Sequence, residues 1–296
     1  MQGINLNNIT TERLCLPLLT EKKVEADVLR LDKIHPLVSG NKWFKLRYYL
    51  EEAKTQYKKT IVTYGGAWSN HILATAAACK INNLFSIGII RGEEAANLSS
   101  TLLHAKELGM QLIFISRGDY HNKIIPAHLS SSEHYFIPEG GYGIKGAGGA
   151  VTILDYCKKE NFTHICCAAG TGTMTAGLII GSLPSTQIIS ISILKNNFDL
   201  EENITQLVPG EKTKLQIIHD YHFGGYAKYK PGLLTFMNKF YSLTGIPSDF
   251  VYTGKLFFAV SHLIESNFFA AGSRLLIIHS GGLQGNASLN NGTLIF

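Results

Sequence analysis

A repeated alternation constrains this chain most: short apolar, β-branched runs are followed by longer stretches of helical periodicity. The runs fall at 60–64, 84–90, 112–115, 164–167, 188–194, 215–218 and 275–278. Helical spacing of apolar residues predicts helices over 43–57, 69–80, 99–108, 147–159, 174–183 and 255–266. Strands apolar on both faces suit parallel sheets, whose crossover connections lie across the sheet faces and cover them. The predicted class is therefore α/β, with two open, mainly parallel sheets flanked by helices. A Gly-rich break, Pro138-Glu139-Gly140-Gly141-Tyr142-Gly143, separates the first series of strands from the second and reads as a crossing between domains. Ser130-Ser131-Ser132 and Asn290-Asn291-Gly292 read as exposed turns.

At 296 residues, with 45% hydrophobic content, the chain can fill sizeable cores. Its formal charge of +5 is spread among Asp and Glu rather than gathered into runs, which argues against a nucleic-acid surface and leaves room for a small anionic ligand. The five cysteines (Cys15, Cys79, Cys157, Cys166, Cys167) contain no C-x-x-C pair and are expected to be reduced and buried. The start, Met1-Gln2-Gly3-Ile4-Asn5-Leu6, has no basic segment leading into an apolar one, and no apolar run is long enough to span a bilayer. A cytoplasmic location with no membrane contact is expected. The eleven histidines form no H-E-x-x-H or comparable array, so no metal is expected.

Four segments could carry chemistry. In Ser39-Gly40-Asn41-Lys42-Trp43-Phe44-Lys45-Leu46 a flexible turn delivers Lys42 to the start of a helix beginning near Trp43. Helix N-terminal amides and burial both disfavour its positive charge and favour the nucleophilic amine. Lys45 is expected to be exposed on the same helix. In Thr63-Tyr64-Gly65-Gly66-Ala67-Trp68-Ser69-Asn70-His71 a strand ends in glycines and opens a helix with Ser and Asn, which can face a ligand or simply cap the helix. It is not the G-x-S-x-G elbow of a serine hydrolase.

The turn Ala168-Ala169-Gly170-Thr171-Gly172-Thr173 lies between a strand and a helix, where backbone amides, hydroxyls and the helix dipole favour an anion. Thr175 stands where G-x-G-x-x-G requires its third glycine, and Lys195 follows the next strand. That partial match is all that favours an NADP-dependent oxidoreductase, a reading from a different class. The last group joins Gly224-Gly225-Tyr226, Val251-Tyr252-Thr253-Gly254-Lys255 and His279-Ser280-Gly281-Gly282. Its tyrosines could supply stacking faces and a phenol proton, while His279 reads as a satisfied core histidine.

Taken together, Ser39-Gly40-Asn41-Lys42-x-x-Lys45-Leu46, Gly65-Gly66-x-x-Ser69-Asn70-His71, the turn from Gly170 to Thr173, Tyr252-Thr253-Gly254-Lys255 and His279-Ser280-Gly281-Gly282 resemble the 1-aminocyclopropane-1-carboxylate deaminase and D-cysteine desulfhydrase family. The resemblance implies a tryptophan-synthase-β-like (fold type II) enzyme using pyridoxal 5'-phosphate in a cleft between a larger domain (1–46 and 147–296) and a smaller one (47–146), and acting as a homodimer. It implies that Lys42 binds the cofactor as a Schiff base and that Asn70 bonds its phenolic oxygen. Gly170, Thr171, Gly172 and Thr173 would cradle the phosphate. Ser69 would hold the substrate carboxylate, with Asn70 and His71 beside it. Tyr226 and Tyr252 match the two active-site tyrosines.

Family deaminases carry glutamate and leucine where this chain has Thr253 and Ser280, which resemble the desulfhydrase pattern of neutral partners for the pyridine nitrogen. The expected reaction is β-elimination from D-cysteine, giving pyruvate, ammonia and sulfide. Deamination of 1-aminocyclopropane-1-carboxylate is the alternative within the family, and a pseudoenzyme that only binds the cofactor is a third reading. The chain departs from the family at its N-terminus, at Arg30-Leu31-Asp32, and at Trp43, Tyr142 and Ala227, positions that bear on the shape of the substrate pocket.

Overall fold

The computed structural model describes residues 3–158, 161–208, 210 and 214–296. Its strands are β1 (Thr11–Arg13), β2 (Glu25–Arg30), β3 (Thr60–Gly65), β4 (Phe85–Arg91), β5 (Met110–Ile115), β6 (His134–Ile137), β7 (His164–Ala169), β8 (Gln187–Ser192), β9 (Leu215–Ile218) and β10 (Arg274–His279). Its α-helices are α1 (Pro17–Lys22), α2 (Asn41–Thr55), α3 (Asn70–Ile81), α4 (Ser100–Glu107), α5 (Arg117–His121), α6 (Ile144–Val151), α7 (Thr173–Gly181), α8 (Leu200–Thr205), α9 (Pro231–Thr244) and α10 (Thr253–Glu265).

The strands form a six-stranded sheet in the order β1-β2-β10-β7-β8-β9 and a four-stranded sheet in the order β5-β4-β3-β6. Among the described residues only the β1–β2 pair is antiparallel. Helices cover both faces, as the doubly apolar strands require. On one face of the larger sheet, Phe44 joins Ile153, Met174, Leu178 and Leu200 beneath β7 and β10, and on the other Leu19, Phe240, Leu256 and Val260 pack against Val28, Ile191 and Ile277. The smaller sheet rests on α2 and α3 through Leu50, Ile61, Ile72 and Ala77. Residues 70–79 of α3 are all buried, so over that length the helix turns no face to solvent. No helix among the described residues is long and apolar enough to cross a membrane.

All seven expected strands are present, and β1, β2 and β6 are added to them. β1 and β6 have three and four residues, too few to show a period. β2 reads EADVLR and carries two carboxylates into a sheet, which hides it from an apolar search. The expected helix over 147–159 instead begins at Ile144 and gives way after Val151 to a 3₁₀ segment, Thr152–Tyr156. Residues 159 and 160, and the first two of the chain, lie outside the described residues. α9 begins with Pro-Gly, which reads as a turn although proline suits the first position of a helix. Cys79, Cys166 and Cys167 are buried, whereas Cys15 is exposed and Cys157 only half-buried, so the expectation of uniformly buried cysteines is corrected.

Candidate active site

Parallel strands deliver their following loops to one edge of a sheet, the carboxyl ends. The loops after β3, β4, β6 and β7 line a cavity of about 230 Å³, together with the start of α2 and the segments holding Tyr226 and Tyr252. Lys42, Ser69, Asn70, His71, Gly170, Thr171, Gly172, Tyr226 and Tyr252 all reach it. A narrow adjoining space is lined by Ser280 together with Lys42, Asn70 and Tyr252. Thr173 sits just behind, its hydroxyl 3.0 Å from that of Thr171.

Helix α2 starts at Asn41, two residues before the expected start, because Gly40 takes a φ of +62° as its N-cap. A Cβ at Gly40 would overlap the main-chain oxygen of Ser280, which itself accepts the amide of Asn41 at 3.1 Å. Lys42 thus stands in the first turn, close to amides that repel its charge. Burial lowers its pKa to about 8, against an opposing pull from Asp249. Its Nζ lies 5.7 Å from the centre of the Tyr252 ring.

Lys45 corrects the expectation of an exposed neighbour: it is 4% exposed, and its Nζ donates to Gly140 O at 3.1 Å. Burial and then the charge of Lys42 push its pKa well below the ordinary lysine value. Neither lysine has a carboxylate within ion-pair distance among the described residues. Gly140 in turn abuts Thr171, since a Cβ there would lie 2.9 Å from the Thr171 methyl carbon. Lys45 and the Thr171-Gly172-Thr173 start of α7 therefore flank one end of the cavity. A buried amine without an ion-paired carboxylate among the described residues, beside a helix N-terminus, fits the phosphate of pyridoxal phosphate.

Ser69 both caps α3, accepting the Ile72 amide at 3.3 Å, and lines the cavity, so the two roles coexist. The Thr63 hydroxyl donates to Ile137 O at 2.8 Å, so its contact of 2.9 Å with His71 Nε2 has the histidine as donor. His71 is thereby fixed with Nδ1 as an acceptor, and that buried atom has no hydrogen-bond partner among the described residues. Burial, then Lys42 and Lys45, hold its pKa well below the usual histidine value, so the ring is neutral.

Tyr226 and Tyr252 pack edge to face with ring centres 6.3 Å apart. Burial is the main cause that raises both pKa values, Tyr226 to about 12 and Tyr252 well above 10. The Tyr226 hydroxyl donates to Trp68 O at 2.9 Å. Thr253 points elsewhere than expected: its hydroxyl donates to Asp249 Oδ1 at 2.7 Å, and it lines neither cavity. Asp249, fully buried, also accepts the amides of Val251, Tyr252 and Thr253 at 2.8–3.0 Å, acting as the cap of α10. Asp249 and Arg91 escaped the sequence pattern, while Lys45 and Glu139 stood in named motifs without a place in the site. A doubled lysine one helical turn apart was the available signal for Lys45, whereas Asp249 lies in an unremarkable Pro-Ser-Asp-Phe. His279 is buried, with Nε2 donating to Pro247 O at 2.7 Å and Nδ1 3.3 Å from Asp32.

No family profile matches the chain. A Thermotoga maritima protein provisionally named a 1-aminocyclopropane-1-carboxylate deaminase is 29% identical, over 91% of this chain and 93% of that protein. An Arabidopsis thaliana mitochondrial protein, named a bifunctional D-cysteine desulfhydrase and 1-aminocyclopropane-1-carboxylate deaminase, is 28% identical over 84% of this chain and 70% of its own. A Salmonella newport D-cysteine desulfhydrase is 23% identical over 90% of each chain. Among solved structures, a homologue of 1-aminocyclopropane-1-carboxylate deaminase superposes with a TM-score of 0.79 at 26% identity, covering 94% of this chain and 90% of that one. O-ureido-L-serine synthase, at 13% identity, a TM-score of 0.69 and coverage of 99% and 97%, shares the fold.

Proposed function

We propose that this chain belongs with the 1-aminocyclopropane-1-carboxylate deaminases and D-cysteine desulfhydrases it is similar to, and that it uses pyridoxal 5'-phosphate to eliminate the β-substituent of D-cysteine. Lys42 would carry the cofactor covalently. Thr171, Gly172, Thr173 and Lys45 would hold its phosphate, while Asn70 and Ser280 would contact the ring. Residues 1–46 and 147–296 would form the larger domain and 47–146 the smaller, a division that the separate sheets support. When bound, the cofactor supplies an electron-withdrawing ring that stabilises negative charge on the α-carbon of an amino acid.

The protein's share of the work follows from its charges. An amine with a pKa near 8 is substantially neutral at mildly alkaline pH, so Lys42 can take up the α-proton. Tyr252, its pKa held well above 10, keeps its phenol proton and can give it to departing sulfur. Tyr226 already donates to Trp68 and is the weaker candidate for that role. Ser69, at the start of α3, would bind the carboxylate with help from the helix amides. Ser280 leaves the ring nitrogen with a neutral partner, which favours loss of a good leaving group over opening of a cyclopropane. The observation that carries this reading is the neutral-leaning amine of Lys42 in one cavity with the protonated phenol of Tyr252.

The test is the visible spectrum of the protein and of Lys42→Ala with added cofactor, followed by assays of keto acid and sulfide. We expect a band that requires Lys42, and pyruvate with sulfide from D-cysteine. Release of 2-oxobutyrate from 1-aminocyclopropane-1-carboxylate, with no pyruvate from D-cysteine, would assign the deaminase activity instead. No Lys42-dependent band would end the cofactor proposal.

A further inference from the structure

The cavity wall carries one cation that the chemistry above leaves idle. Arg91, the last residue of β4, lies exposed at the mouth and lines the cavity. Among the described residues it has no carboxylate within ion-pair distance, and its guanidinium carbon lies 5.7 Å from the centre of the Tyr120 ring. It lies beside Gly66: a Cβ there would come within 3.5 Å of a guanidinium nitrogen, an ordinary van der Waals contact. Gly66 closes the turn that leads to Ser69, whose amide donates to Gly66 O at 3.0 Å. Arg91 therefore sits on the Ser69 side of the cavity, while Lys45 and Thr171 meet through Gly140. Its charge also reaches Tyr226, whose pKa it lowers against burial.

The one acid on the same wall, Glu139, has its own partner. Its carboxylate accepts Lys123 Nζ at 2.8 Å, and Lys123 lies over the rings of Tyr120 and Tyr64. A phosphate would be matched by Lys45, and an α-carboxylate by Ser69 with the α3 amides. A planar guanidinium that is left over at such a mouth matches a second anionic group.

We propose that Arg91 is a specificity-determining residue that takes the negatively charged group on the β-carbon of the amino-acid substrate. The substrate class is then α-amino acids with an anionic β-substituent, such as a thiolate or sulfonate, and not the hydrocarbon ring of a cyclopropane amino acid. This inference deepens the proposed function by assigning the side-chain end of the same site.

The test is calorimetric binding of D-cysteate and D-alanine to the cofactor-loaded protein and to Arg91→Gln and Arg91→Lys, with the fast heat of binding separated from any slower heat of elimination. D-cysteate is expected to bind about tenfold or more tightly than D-alanine, as charge-assisted pairing would give, with Arg91→Gln bringing the ratio near one and Arg91→Lys keeping part of it. Raised salt should reduce the preference at this exposed site. A ratio near one in the parent, or one unchanged in Arg91→Gln, would overturn the assignment even if D-cysteine is turned over. An Arg91-dependent preference in a protein that releases no pyruvate would uphold the assignment and discard the elimination reaction.

Discussion

Lys255 Nζ donates to Gly225 O at 2.7 Å and to His222 O at 2.8 Å, fastening the loop that carries Tyr226 to the first turn of α10, directly after Tyr252. The side chain is fully buried, and burial lowers its pKa to about 8, with Asp249 opposing the shift. It is a positioning residue, reaching the cavity only through the two tyrosines. Lys255→Met is expected to cut kcat about tenfold and to destabilise the fold by about 1–3 kcal/mol, the usual effect of leaving buried acceptors unpaired. In a Tyr226→Phe background the same substitution should lower kcat much less, which a double-mutant cycle would measure.

The lowered pKa of Lys42 predicts a pH profile. Its neutral fraction grows as pH rises through about 8, so covalent labelling of the cofactor-free protein by pyridoxal phosphate and borohydride should accelerate from pH 7 to 9 and then level off. The stability linkage has a definite sign. Between about pH 8 and the unfolded lysine value near 10.5 the unfolded chain binds the extra proton, so Lys42's burden on the fold disappears as pH rises through that window.

Asp249 opposes the shift in Lys42 while capping α10. Asp249→Asn should move the midpoint of the labelling profile below 8 and lower stability by about 2–4 kcal/mol, because an amide nitrogen would then face backbone donors. Labelling and thermal denaturation of the same sample would separate the two effects.

Gly40→Ala tests the contact under the reactive lysine. The added methyl group has both an unfavourable φ and the Ser280 carbonyl against it, so a loss of about 3 kcal/mol or more is expected in chemical denaturation. Gly245→Ala, at a similar φ of +68° and with nothing among the described residues within 4 Å of its Cβ position, isolates the backbone cost.

The larger apolar strands and most of the helices were legible because their patterns are local and carry a period. The site was legible where glycines or helix starts mark a loop, as at Lys42, Ser69 and Thr171. Lys45 was misjudged because lysine is normally solvated, and only the tertiary approach of Gly140 buries it. Thr253 was misdirected for a related reason: its hydroxyl has a nearer acceptor in Asp249, four residues earlier in the chain. Asp249 itself has no sequence mark, since its caps and its field on Lys42 exist only once α10 is docked.

The order of strands in the larger sheet has a consequence for how the protein is made. β10, residues 274–279, stands between β2 and β7, bonded to both. During synthesis β2 emerges early and waits for its parallel neighbour until more than 240 further residues have been made. The helix start bearing Lys42 rests on Ser280, at the end of that late strand. The nascent protein therefore cannot assemble its reactive lysine piecemeal, and a chain cut short before β10 would leave an open strand edge and no finished active site.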